Sequence, residues 1–147
     1  MAIISEDLIL LDYDIDNKDN VIEFLVDRMQ KTNRITNGEI LTNDVYLREE
    51  EASTSMGFGV AIPHAQSSSV LESSVVFIRL KNDITWNDDK GIRLIFGIFV
   101  NESNPDNTHL KILAKLARKL VQEEFRERLL EVKSTKECQD LLESINK

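Results

Sequence analysis

The sequence predicts an α/β fold, a central sheet covered by helices, and three observations carry that prediction. Residues 73–80 (SSVVFIRL) and 92–100 (IRLIFGIFV) have strand composition, and the second is apolar almost throughout, as a strand buried on both faces must be. On either side of them lie segments whose apolar residues recur at helical spacing. No internal repeat, low-complexity tract or proline-rich linker separates the two kinds, so residues 1–147 are expected to form one domain around one core.

The elements follow in order. Residues 8–13 (LILLDY) read as a first strand, after which Asn17 to Asn20 offer capping side chains for a helix with Val21, Ile22, Leu25, Val26 and Met29 on one face. TNRITNG has turn chemistry, and residues 39–51 form a second helix bearing Ile40, Leu41 and Val45; three glutamates at its end oppose the helix dipole. The Ser/Thr/Gly-rich connection STSMGFG then leads into VAIP and His64, and the two strong strands come next. From Thr108 the spacing turns helical through Leu110, Leu113, Ala114, Ala117 and Leu120, with a further helix around Phe125, Leu129 and Leu130. A last helix starts at Ser134, which forms a capping box with Glu137, and Cys138, Leu141, Leu142 and Ile145 make its apolar stripe.

Composition excludes several functions. A net charge of −8, with lysines and arginines scattered among acids, opposes binding to a phosphate backbone, so no nucleic acid is expected as a partner. No apolar run approaches the roughly 20 residues of a membrane span, and MAIISEDLILLDYD lacks the order of a signal peptide. A cytoplasmic protein without membrane insertion is therefore expected. The single cysteine, Cys138, cannot form an internal disulfide, and on an apolar helix stripe it is expected to be buried and inert. Cys/His spacing indicates no metal site.

Histidine is the informative scarcity. There are two in the chain, each at the boundary of an expected element. Ile62 is held extended by Pro63, which cannot continue a central ladder, so His64 is expected just beyond a strand end with its imidazole presented. Gly57-Phe58-Gly59 precedes a strand and lacks the Gly-Lys-Ser/Thr ending of a nucleotide loop, so the nucleotide reading is rejected. His109 follows Asn107 and Thr108, either of which can cap a helix, and so lies in a first turn that favours an anion. Each residue also has a plainer reading: a surface histidine beside an ordinary turn for His64, a solvated helix start for His109. Arg48, among Glu49, Glu50 and Glu51, could equally be a surface ion pair worth roughly 0–1 kcal/mol. A metal hydrolase built on both histidines and Asp106 is a third possibility without a recognisable ligand spacing.

A histidine phosphoryl carrier needs a neutral imidazole nitrogen, donors for the phosphoryl oxygens, and exposure to two protein partners. Histidine, with an unperturbed pKa near 6.5, supplies the first, while an arginine fork and helix N-terminal amides suit the second. These residue types permit that chemistry without singling it out.

The segment from Arg48 to Ala65, REEEASTSMGFGVAIPHA, resembles the active-site segment of the fructose/mannitol-type enzyme IIA domains of the bacterial phosphoenolpyruvate-dependent sugar phosphotransferase system. ITWNDDKGIRLIFGIFV and HLKILAKLARKL, which begins at His109, resemble later segments of the same domains, so the similarity runs from about Ile4 to Ile145. The resemblance implies a mixed sheet flanked by helices. It also implies that His64 is phosphorylated by the phosphocarrier HPr and donates to a cysteine of enzyme IIB, with the membrane component IIC reached through IIB. His109 and Arg48 match positions that stabilise the phosphoryl group, and Thr54 matches a loop hydroxyl that hydrogen-bonds there. No cofactor or metal is implied, and the transported sugar would be of the fructose-like subgroup. Ala52, Ser55 and Ala65 stand where fructose-type domains often have glycine, and Asn101 where they often have proline. The other role implied is that of the nitrogen-related IIA proteins, whose phosphorylation state is read by binding partners.

Overall fold

The computed structural model describes residues 3–103 and 108–144, with the backbone alone for residues 108–110. A 3-10 turn at Glu6–Leu8 leads into β1 (Ile9–Tyr13), α1 (Lys18–Lys31) and α2 (Gly38–Glu51). Three short strands follow, β2 (Ser55–Gly57), β3 (Val60–Ala61) and β4 (His64–Ser67), then the long pair β5 (Ser74–Trp86) and β6 (Asp89–Asn101). The chain continues with α3 (Thr108–Leu120), α4 (Glu123–Glu131) and α5 (Thr135–Glu143).

The expected mixed sheet is present. It has six strands in the order β1-β5-β6-β3-β2, with β4 also paired to β6. β1 runs parallel to β5, and β3 and β4 run parallel to β6, while the β5–β6 and β2–β3 pairs are antiparallel. β6 is an interior strand, and its near-continuous apolar run is buried from Leu94 to Val100.

Each face of the sheet buries its own set of helices. On one, Val21, Ile22, Leu25 and Met29 of α1 and Leu41 and Val45 of α2 pack on Ala61, Val76, Ile78 and Ile95. On the other, Leu116 and Leu120 of α3, Phe125 and Leu129 of α4 and Cys138 and Leu142 of α5 pack on Val60, Phe77, Leu94 and Phe96. The period-2 alternation of β5 and β6 sorts their side chains between these layers. The capping expectations hold where they are described: Asn17 accepts from Asn20 N at 2.9 Å, and Ser134 from Glu137 N at 3.1 Å. Glu137 reaches back to Lys133 N at 2.9 Å, one residue before the cap. Asn107, Asp106 and Ile145 lie outside the described residues.

Three expectations change. β5 and β6 extend through residues 81–91 as a hairpin, whose antiparallel partners satisfy each other's backbone while Ile84 and Trp86 turn into the core. STSMGFG is partly strand: β2 and β3 are joined through Gly57, Phe58 and Gly59, all at positive φ (82°, 59° and 78°), which is the use the two glycines have. The ladder also does not end before His64. Ala61 faces Ile95 and His64 faces Ile98, three residues further along both strands, so β3 and β4 form one line along β6. The N–H that Pro63 lacks interrupts this line without shifting it, and its carbonyl still accepts from Ile98 N at 3.0 Å.

At the turn of the long hairpin Asn87 has φ 56°, and its side chain accepts from Lys18 Nζ at 2.9 Å. The Lys18 ammonium lies 5.9 Å from the ring centre of Trp86, which is fully buried. The start of α1 is thereby fixed to the end of the sheet.

Candidate functional site

His64 is the first residue of β4, on the edge of the sheet, and strand alternation turns His64 and Gln66 outward while Ala65 and Ser67 are buried. The imidazole is half-buried and held at both nitrogens. Nδ1 is 2.8 Å from the Ile62 carbonyl oxygen, and Nε2 is 3.1 Å from Arg48 Nε. A carbonyl can only accept and a guanidinium can only donate, so Nδ1 carries the hydrogen and Nε2 presents its lone pair. One neutral tautomer is thus selected by two partners whose roles cannot be reversed.

Arg48 occupies the last turn of α2. Its Nη1 donates to the Ala52 carbonyl at 3.0 Å, satisfying a carbonyl just past the helix end and fixing the plane of the guanidinium. Glu51 stands 3.9 Å from Nε and is largely exposed, so the surface ion pair is present at long range while the Nε–H itself points to His64. The helix that carries three glutamates at its end therefore closes with a cation used twice.

These groups line a groove of about 530 Å³. α2 supplies Asp44, Leu47, Arg48 and Glu51, β4 supplies His64, Ala65 and Gln66, and α3 supplies Leu113. Two carboxylates make the groove unfavourable for an anion except where Arg48 offsets them, close to Nε2. His109 lies in the first turn of α3, one helical turn before Leu113, so its backbone belongs to the helix that walls the groove. Its side chain lies outside the described residues, as does Asp106, the third ligand of the hydrolase reading. Among the described residues no group of three or more His, Cys, Asp or Glu is placed to hold a metal ion.

Thr54 is 7% exposed and does not line the groove. Its hydroxyl donates to Glu49 Oε1, and its N–H approaches Glu49 Oε2 at 3.4 Å. Glu49, also 7% exposed, was not singled out by the sequence, where it stands with Glu50 and Glu51 only as a neighbour of Arg48 at the helix end. The signal was available: Leu41, Val45 and Glu49 recur every four residues, and all three are the buried residues of α2. Cys138 is buried as expected, and burial pushes its thiol up to about 12. Among the described residues no helix is long and apolar enough to cross a membrane.

With this geometry in view, similarity to known proteins is specific. Residues 2–145 match the family model described as "Phosphoenolpyruvate-dependent sugar phosphotransferase system, EIIA 2". The fructose-specific EIIA component of Haloferax volcanii is 37% identical over 130 residues, spanning 87% of this chain and 84% of that protein. The nitrogen regulatory protein IIA-Ntr of Neisseria meningitidis has a crystal structure that superposes with a TM-score of 0.87 at 30% identity, covering 95% of this chain and 96% of that one. The mannitol enzyme IIA of Escherichia coli, solved in complex with phosphorylated mannitol enzyme IIB, shares the fold with a TM-score of 0.79 at 24% identity, covering 96% and 97% of the two chains.

Proposed function

This chain belongs to the EIIA type 2 family of the phosphoenolpyruvate-dependent sugar phosphotransferase system, and on that premise we propose that it is a cytoplasmic phosphoryl carrier, a single unit over residues 1–147, working through His64. The observation that carries the proposal is the pair of hydrogen bonds that leaves the Nε2 lone pair of His64 facing Arg48. HPr is the proposed donor and a cysteine of an enzyme IIB the proposed acceptor, with a fructose-like sugar entering through the membrane component that IIB serves. The E. coli mannitol IIA solved with a phosphorylated IIB supports the acceptor side.

In the first step the Nε2 lone pair attacks phosphorus, and the bond from phosphorus to the donor breaks with its electron pair leaving on the donor. Because Nδ1 keeps its hydrogen, the phosphorylated ring carries positive charge, which the Ile62 carbonyl stabilises through the 2.8 Å contact. Arg48 releases Nε2 and turns its N–H groups to the phosphoryl oxygens, where positioning and charge supply most of the catalysis. The Ala52 carbonyl keeps the guanidinium in place meanwhile. In the second step the IIB thiolate attacks phosphorus and the ring departs as the neutral imidazole it was before. Retaining the Nδ1 hydrogen is what makes it a good leaving group. We assign His109, in the first turn of α3, to hold phosphoryl oxygens in both steps.

Incubation with phosphoenolpyruvate, enzyme I and HPr is expected to give an acid-labile phosphoryl label on wild type and none on His64→Ala, with His109→Ala labelled more slowly. A wild type that stays unlabelled removes the proposal. The 30% identity and close superposition with a nitrogen regulatory IIA favour a second reading, in which the phosphorylated protein signals by binding. A chase with candidate IIB proteins separates the two: loss of label to a IIB cysteine supports transport, and retention against every IIB supports signalling.

A further inference from the structure

We propose that Glu49 is a positioning residue for the phosphoryl transfer, acting through Thr54 on the backbone that holds the His64 ring. This deepens the carrier reading and rests on it for the rate that it affects. The structure contains an unbroken chain of contacts. Lys18 Nζ lies 3.6 Å from Glu49 Oε2, and the Glu49 carboxylate accepts from both the hydroxyl and the N–H of Thr54. The Thr54 carbonyl accepts from Ile62 N at 2.9 Å, and the Ile62 carbonyl takes the Nδ1–H of His64.

A buried carboxylate is costly unless it is hydrogen-bonded and paired, and here both conditions are met by residues that belong to the site's supports. Consecutive residues of α2 grip the same short loop: Arg48 holds the carbonyl of Ala52, and Glu49 holds Thr54 two residues later. The helix that aims the guanidinium at Nε2 therefore also sets the carbonyl that fixes Nδ1. Displacing Thr54 moves Ile62, and with it the group that selects the tautomer. The loop hydroxyl expected from sequence resemblance at the phosphoryl group serves, in this reading, one layer behind it.

The test uses Thr54→Val, which removes the hydroxyl at nearly constant volume, Thr54→Ser, which restores it, and Glu49→Gln, which keeps one acceptor oxygen but loses the charge facing Lys18. Long-range 1H–15N spectra of the unphosphorylated proteins report which ring nitrogen of His64 carries the hydrogen. Rates of labelling from phospho-HPr are measured alongside thermal unfolding. For Thr54→Val the expected result is a mixture of tautomers and labelling about tenfold slower, the effect of one hydrogen bond. Thr54→Ser is expected to restore both, and Glu49→Gln to fall between. A Thr54→Val protein with the wild-type ring spectrum and labelling rate, only less stable, would overturn the proposal, since the clamp would then hold the fold alone. If wild type accepts no label at all, it is the carrier reading that fails, and the ring spectra still decide whether the clamp exists.

Discussion

Replacing Arg48 separates what its charge does from what its shape does. The side chain makes two contacts that the ring and the loop depend on, Nε to His64 Nε2 at 3.1 Å and Nη1 to the Ala52 carbonyl at 3.0 Å. In the proposed transition state the first is replaced by a charge-assisted bond to phosphoryl oxygen, of the kind worth about 1.5–3 kcal/mol. At about 1.4 kcal/mol per decade, Arg48→Ala is expected to slow labelling from phospho-HPr by about 10- to 150-fold. The cost to the fold is smaller, because a partly exposed side chain loses one neutral acceptor worth about 1 kcal/mol, or about 2–4 °C in melting temperature for a domain of this size. Arg48→Lys restores the charge without the planar fork, and an ammonium cannot satisfy Ala52 and Nε2 in the same geometry, so an intermediate rate is expected. Rapid-quench measurement of phosphohistidine formation, with melting curves as the control, checks all three. A folded Arg48→Ala that labels at the wild-type rate would refute the assignment of the guanidinium to the phosphoryl group.

Two further outcomes concern the scaffold. Arg79 is buried, with Nε and Nη2 paired to the Asp12 carboxylate and Nη1 donating to the carbonyls of Leu129, Leu130 and Val132 at the end of α4. The hydrogen bonds from Arg79 hold the Asp12 carboxyl below its ordinary value, so the pair stabilises the fold above pH about 4 and loses that contribution as acid protonates it. Asp12→Asn is thus expected to melt below wild type at pH 7 and to converge with it in the acid range; a gap that stays constant down to pH about 2 would contradict the pairing. Cys138, whose thiol burial raises to about 12, stays neutral in the folded chain while the unfolded chain ionises near pH 8.5, so its contribution is complete below that value and declines as pH rises toward 12. The native protein is expected to react with a thiol reagent at pH 8 only at its unfolding rate, and prompt stoichiometric reaction would show the thiol is reachable.

The sequence made the layers legible and hid the supports. Leu94 to Val100 announced an interior strand, and the stripes of α1 and α5 announced their buried faces, because apolar periodicity records burial directly. The hairpin beyond Leu80 did not show in the apolar periodicity since Lys81, Asn82 and Asp83 have loop composition and separate the main run of β5 from Ile84 and Trp86, which rejoin the core. β2 hid for a related reason, three residues of mixed polarity that only a partner strand organises. At the site, Pro63 suggested where presentation of His64 begins, but its missing N–H was mistaken for an end to the ladder. Arg48 and Glu49 show the deeper difficulty. They are adjacent acid and base in a charged run, yet one side chain turns to the groove and the other into the core, a choice made by the helical phase set at Leu41 and Val45. Only the family resemblance brought Arg48, His64 and His109 forward together, because sites join residues that are distant in sequence and carry no periodicity of their own.

Trp86 is the chain's only tryptophan, and it reports on more than the sheet that buries it. The ammonium above its ring also faces the carboxylate next to Arg48 in α2. Under the proposed carrier function, a shift of that helix on phosphorylation of His64 would move this charge relative to the indole, and a change in Trp86 emission is the expected sign of it. Such a change would let loading and unloading be timed in a stopped-flow mixer without dye, label or radioactivity.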